Sequence, residues 1–161
     1  MFDFIPDSQY AGVYYHILLI VTLYMYMQSR IYFIEQRETI KTSQNIGYVL
    51  LGFTILYMGT RPVSWAFGDM TTYAEGFTKM QLDPNLPIKR EIFFGYFTKL
   101  CAELMDVRTY FLLIDVIYIL PCYLFAKKYF SDYWFIPFLM MIGSFSFWSY
   151  GTNGIRNGMA T

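Results

Sequence analysis

Charge is what this chain has least of. Charged residues make up 15% of its 161 positions, where a soluble domain carries about 25%. It has one histidine and two cysteines. Cys101 and Cys122 sit in or beside apolar stretches without metal-ligand spacing, so both read as packing residues. No His/Cys/Asp constellation has the spacing of a metal site, and no glycine-rich nucleotide loop follows a strand. Neither a metal nor any other cofactor is expected. The 12 basic and 12 acidic residues cancel, and no basic stripe points to nucleic acid. Internal repeats, low-complexity tracts and a soluble domain are also lacking.

What the chain has instead is apolar and aromatic surface. Hydrophobic residues reach 56% and aromatics 22%, with 16 Tyr and 16 Phe. The few charges cluster, leaving positions 8–29, 42–60 and 133–155 without Lys, Arg, Asp or Glu, and 109–126 with Asp115 alone. Roughly 20 residues cross a bilayer core as a helix. One such run would be compatible with a signal peptide, but four are not. The expected fold is all-α, a multi-pass transmembrane bundle with spans at about 12–27, 45–58, 110–126 and 133–150. Pro121 falls late enough in the third to kink rather than forbid it. Tyr10, Tyr14 and Tyr15 at one end of the first span, and Tyr24, Tyr26 and Tyr32 at the other, suit the two membrane–water interfaces.

Lys/Arg asymmetry in short connections sets orientation. Arg30, Arg37 and Lys41 follow the first span, and Lys127 and Lys128 follow the third. That side is expected to be cytoplasmic. The N-terminus, the long polar region 60–108 and the end near Arg156 then face outward. Within that region, 89–105 reads as an amphipathic helix with Phe93, Phe97, Leu100 and Leu104 on one stripe. It either lies on the membrane surface or packs beneath the loop. Pro84 and Pro87 stand ahead of its start.

The polar chemistry concentrates after the second span. Arg61, Asp69, Tyr73, Glu75 and Lys79 fall among Gly59, Gly68 and Gly76, with Trp65 and Phe67 between them. Arg61 at a span end either grips a phosphate oxygen pair or anchors by snorkelling. Asp69 and Glu75 are the carboxylates best placed to serve as a general base, although Asp69 beside Gly68 also reads as a turn or cap residue. A second cluster, Asn153, Arg156 and Asn157, follows the fourth span. Backbone N–H groups at the start of a further helix there would favour an anion. Arg61, Asp69 and Arg156 reach one side of the membrane in this topology. Asp115 lies inside the third span, where an acid is either functional or a hydrogen-bonded packing residue. His16 reads as a satisfied packing histidine.

The segments YMGTRPVSWAFGDMTTYAEGF and NGIRNGMA, separated by a long outer loop and later spans, resemble the EpsG family. These are multi-pass bacterial proteins of exopolysaccharide and capsule polymerisation. They are similar in role to O-antigen polymerases and in architecture to membrane glycosyltransferases of the GT-C type. The resemblance implies a protein of the cytoplasmic (inner) membrane with its N-terminus outside, joining saccharides on the outer face. Its donor would be a polyprenyl-pyrophosphate-linked oligosaccharide, and its acceptor a hydroxyl of a second lipid-linked unit. Asp69 would be the catalytic base. Arg61 and Arg156 would hold the pyrophosphate, with Tyr73, Glu75 and Asn157 as further substrate contacts. Asn157 stands where many relatives show Gln, which shortens the polar reach. Polysaccharide export or chain-length proteins would be partners. The resemblance covers only the amino-terminal half of a typical member, and 155–161 is too short to cross a bilayer. The chain is therefore expected to be a single transmembrane unit, 1–161, from a longer protein, and inactive if the missing spans complete the site. Two other readings compete: a transporter or flippase-like component for lipid-linked sugars with Asp115 coupling protons, and a non-catalytic membrane subunit.

Overall fold

A computed structural model describes residues 4–31, 36–83, 85–88 and 92–154. All regular structure among them is helical. Seven α-helices follow in order: α1 Tyr10–Ile31, α2 Gln36–Gly59, α3 Met70–Leu82, α4 Ile92–Leu104, α5 Val107–Phe130, α6 Phe135–Ile142 and α7 Phe145–Thr152. Short 3-10 turns occupy Asp7–Gln9, Trp65–Phe67 and Ser131–Tyr133.

Two helical stretches, Asp7–Gln28 and Val107–Tyr133, are long and apolar enough to cross a membrane. They correspond to the first and third expected spans. The second expected span is the apolar end of α2, whose first turns carry Gln36, Glu38, Lys41, Gln44 and Asn45. The fourth is not one helix. α6 and α7 are eight residues each, or about 12 Å long, against a hydrocarbon core of about 30 Å. The chain breaks between them at Gly143 and Ser144. Ser144 is extended and turns its hydroxyl to accept from the Phe147 N–H at 3.1 Å, starting α7 afresh. A hydroxyl that competes for backbone groups is suited to such a restart.

The break leaves the Ile142 carbonyl at the end of α6 without a helical partner, and tyrosines satisfy it and carbonyls elsewhere in the bundle. The Tyr14 hydroxyl donates to the Ile142 carbonyl at 3.0 Å and that of Tyr118 to the Phe147 carbonyl at 3.0 Å. Tyr10 and Tyr57 donate to each other's carbonyls at 2.9 and 2.8 Å, with their rings stacked 4.3 Å apart. Irregular backbone at membrane depth is tolerated where protein groups re-satisfy it. The abundance of tyrosine thus has a second use besides interface placement. Tyr10, Tyr14, Tyr57, Trp134 and Phe138 are fully or almost fully buried in the resulting core.

The capping of α5 is local chemistry. Asp106 accepts from the backbone N–H groups of Arg108 and Thr109 at 3.0 and 3.4 Å, and from the Thr109 hydroxyl at 2.5 Å. That hydroxyl, with the two backbone donors, holds the Asp106 carboxyl below the usual carboxylate range. Lys127 and Lys128 close the last turn, where the helix dipole favours cations. Pro121 lies inside α5 without ending it.

The polar region 60–108 is largely folded. α3 and α4 pack against each other and against α5. The expected 89–105 helix is Ile92–Leu104; Lys89 and Glu91, with Pro84 ahead of them, lie outside the described residues. Phe97 leaves the expected stripe, turning inward to within 6.3 Å of the Tyr110 ring, while Phe93, Leu100 and Leu104 stay exposed.

Candidate functional site

The segment after α2 and Asn153, where the second segment begins, meet beside the convergence of α2, α5 and α7. α2 ends at Gly59, and the chain turns so that the Arg61 side chain runs back into the interior. Arg61 is 4% exposed and Asp115 is 0% exposed. The Arg61 Nη1 donates to Asp115 Oδ2 at 2.6 Å and also to the Met58 carbonyl, and Nη2 donates to the Gly151 carbonyl at 3.1 Å. The Phe111 ring lies 6.0 Å from the guanidinium carbon. One side chain therefore ties α2, α5 and α7 together. Small residues let the helices approach around it: a side chain at Gly151 would collide with Met58 and Tyr118, and one at Gly59 with Leu112. Two buried polar atoms at this junction, Arg61 Nε and Asp115 Oδ1, have no hydrogen-bond partner among the described residues.

This geometry gives both residues a role that sequence patterns do not assign them. Arg61 is expected at the surface, as a phosphate ligand or a snorkelling anchor; the structure spends its guanidinium on a carboxylate and two carbonyls. Asp115 is expected to be either functional or a hydrogen-bonded packing residue; it packs hydrogen-bonded, as the counter-ion of Arg61. No spacing rule links positions 61 and 115, and only the lone acid inside an apolar run hints that a buried cation is required.

Eight residues on, Asp69 is in the opposite situation. The turn Trp65–Phe67 ends at Gly68, which has φ +63° and ψ −121°, a conformation essentially confined to glycine. A side chain there would also overlap the Asn153 amide. That amide accepts from the Asp69 backbone N–H at 3.1 Å. Asp69 occupies the cap position of α3, but its side chain makes no capping bond. The carboxylate is exposed and makes no hydrogen bond among the described residues. So Asn153 fixes the backbone of Asp69 and leaves its carboxylate open.

The other expected contacts are spread out. Tyr73 is half-buried against Phe94, rings 5.9 Å apart and edge to face, and lines a cleft of about 230 Å³ between α3 and α4. Glu75 is exposed. On a helix of 3.6 residues per turn, Asp69 and Tyr73 share a side, whereas Glu75 points well away from both. Arg156 and Asn157 lie outside the described residues, a few positions past Asn153. His16 turns back on its own helix, its Nδ1 2.6 Å from the Gly12 carbonyl. Both cysteines are free, and burial pushes the Cys101 thiol up. No group of metal-ligating side chains occurs among the described residues.

A cleft of about 310 Å³ opens at Gly68, next to Asp69 in the chain, lined by Asp7, Ser8, Phe67, Trp148, Ser149 and Asn153 among others. Asp7, Ser8, Trp148 and Ser149 come from opposite ends of the chain, and no motif or spacing in the sequence marks them. Its floor joins the aromatic core, with Trp148 4.7 Å from Tyr14, ring to ring. A second cleft of about 550 Å³ lies on the other side of Arg61, between the end of α2 and the start of α5, and includes Arg108 and Thr109. Aromatic surface, an open carboxylate and amide or hydroxyl groups suit a polar ligand that also has an apolar face.

No family model, curated protein or solved structure matches the chain. What fold and site define is a class: an all-helical protein with two helices able to cross a membrane and an exposed Asp69 carboxylate near a cleft lined in part by Asp7.

Proposed function

We propose that this chain is part of a membrane-embedded polysaccharide polymerase of EpsG type, acting on the outer face of the cytoplasmic membrane with its N-terminus outside. The other two spans in this reading are the apolar part of α2 and the α6–α7 pair crossing as a broken element. The observation that carries the proposal is the Asp69–Asn153 contact. It joins Asn153, the first residue of the second resembling segment, to the first segment, and leaves the Asp69 carboxylate exposed next to Gly68 and Asn153, which line a cleft. In the proposed reaction Asp69 takes a proton from the acceptor hydroxyl, which attacks the anomeric carbon of the donor. A glycosidic bond forms, the bond from sugar to pyrophosphate breaks, and polyprenyl pyrophosphate leaves. Arg156 and Asn157, which directly follow the Asn153 turn, are assigned to that leaving group. Arg61 positions the segment from within rather than holding phosphate.

The length of surface polysaccharide should be measured in cells whose only copy carries Asp69→Asn or Asn153→Ala. Loss of long polymer with normal amounts of membrane protein is expected for Asp69→Asn, and partial loss for Asn153→Ala. Polymer of full length with Asp69→Asn would sink the assignment.

The break between α6 and α7, together with an ion pair buried against the far end of α7, favours one other reading. Discontinuous helices and intramembrane acids are features of transporters, and a flippase-like component for lipid-linked sugars would use both. In that case Asp115→Asn abolishes surface saccharide altogether, and Asp69→Asn leaves it intact.

A further inference from the structure

α3 and α4 are both 13 residues long and pack on one another. Their outward faces differ in kind. α3 exposes Thr72, Glu75, Thr78 and Lys79. α4 buries Gly95, Thr98, Cys101 and Ala102 and turns out Ile92, Phe93, Tyr96, Leu100 and Leu104, which are 57–85% exposed. That apolar stripe runs the length of a helix of about 20 Å, and no described residue covers it. A continuous exposed apolar strip of this kind marks an interaction surface.

Its position in the chain indicates what covers it. Only Met105 and Asp106 separate α4 from α5, so the two helices end and begin within about 11 Å of each other. α5 is one of the two helices able to cross a membrane. The Leu104 end of the stripe is therefore held where α5 begins. Arg108, exposed in the first turn of α5, supplies a positive charge there, complementary to lipid phosphates. The hairpin is apolar on one side and wet on the other, as a helix pair at a membrane boundary must be.

We propose that α4 lies along the membrane surface, with Ile92, Phe93, Tyr96 and Leu100 in the boundary between headgroups and acyl chains and α3 turned to water. Glu103 falls on the same outward face in the last turn. The helix is thus tilted, its Phe93 end deeper and its Glu103 end among the headgroups with Arg108. The proposal stands apart from any catalytic role of Asp69.

The test uses the full chain in phosphatidylcholine vesicles with Cys101→Ala and Cys122→Ala. Single cysteines at Phe93→Cys, Leu100→Cys, Glu103→Cys and Glu75→Cys carry an environment-sensitive fluorophore. Acyl-chain-brominated lipid should quench positions 93 and 100 at least about twofold, position 103 less and position 75 hardly at all. Aqueous iodide should give the reverse order. Iodide quenching at 93 and 100 equal to that at 75 overturns the proposal. So does energy transfer between copies at 93 that dilution with lipid abolishes, which would identify a second copy as the occupant. If the cysteine-free chain does not fold, Phe93→Trp and Glu75→Trp in the native chain give the same contrast as added bromolipid quenching over the parent.

Discussion

Arg61 and Asp69 belong to one segment, eight residues apart, and the fold treats them oppositely. At the buried junction the polar side chains hold helices together: Arg61 bonds Asp115 and two carbonyls, and tyrosine hydroxyls bond carbonyls of α1, α2, α6 and α7. In the α3–α4 hairpin the charged side chains of Asp69 and Glu75 are exposed. The difference follows from solvent. Where water is excluded, an unpaired charge is too costly to persist, so a charge found there has its partner, and removing that partner costs stability. Where water is present, a charge costs little to leave free, and a free charge is available for chemistry. Stability should therefore respond to the junction and function to the hairpin.

The largest effect that would break this contrast is at Asp115. Asp115→Ala leaves a buried guanidinium without its counter-ion and should cost about 3–5 kcal/mol. The measurement is unfolding in detergent micelles. The double change Arg61→Met with Asp115→Leu should recover most of the loss, because a packed apolar pair replaces two desolvated charges. If Asp115→Ala proved neutral, the junction would not be held as described.

Next comes Gly68, which links the two regions. Gly68→Ala forces a side chain into a glycine conformation and against Asn153, and should destabilise by about 1–3 kcal/mol. Adding Asn153→Ala should relieve the collision but not the backbone strain, so recovery should be partial. A full recovery would mean that φ at this position is freely adjustable.

Smaller again is Asp106, at the seam between hairpin and junction. Asp106→Ala removes the cap of α5 and should cost about 1 kcal/mol. The folded carboxyl titrates below its unfolded counterpart, so its contribution is complete above the unfolded value of about 3.9. It is lost as pH falls through the lower, folded value. The gap in stability between the parent and Asp106→Ala should accordingly be constant near neutrality and shrink on acidification below about pH 4. A gap that widened on acidification would contradict the hydrogen bonding at this cap.

The smallest effect is expected in the hairpin itself. Glu75→Gln touches no described partner and should change stability by less than about 0.5 kcal/mol. A loss comparable to that at Asp106 would show that the outer face of α3 is bound to something, and would weaken the claim that it faces water.

Much of the helical framework is legible in the amino-acid sequence. Helix α5 can be read there because a long apolar run between Arg108 and Lys127 has few other solutions, and α1 for the same reason. The amphipathic period of α4 is visible to within one turn. Phe97 is misplaced by that period because a stripe drawn at i and i+4 cannot tell which edge of a helix is taken up by neighbours. The 133–150 segment reads as continuous because hydropathy counts side chains, and a break at Gly143–Ser144 is a matter of backbone carbonyls finding distant tyrosines. The segment around Arg61 and Asp69 is recognisable as polar and glycine-rich, but the opposite fates of its two charges are not.

Local periodicity and composition are enough to make the chain helical and to suit at least two of its helices to an apolar layer, because both properties belong to short stretches of residues. That Arg61 belongs to Asp115, and that Asn153 holds Asp69, emerges only in the packed bundle. Those pairings join positions 54 and 84 residues apart. Their energies depend on burial, which is a property of the assembled helices and not of either segment.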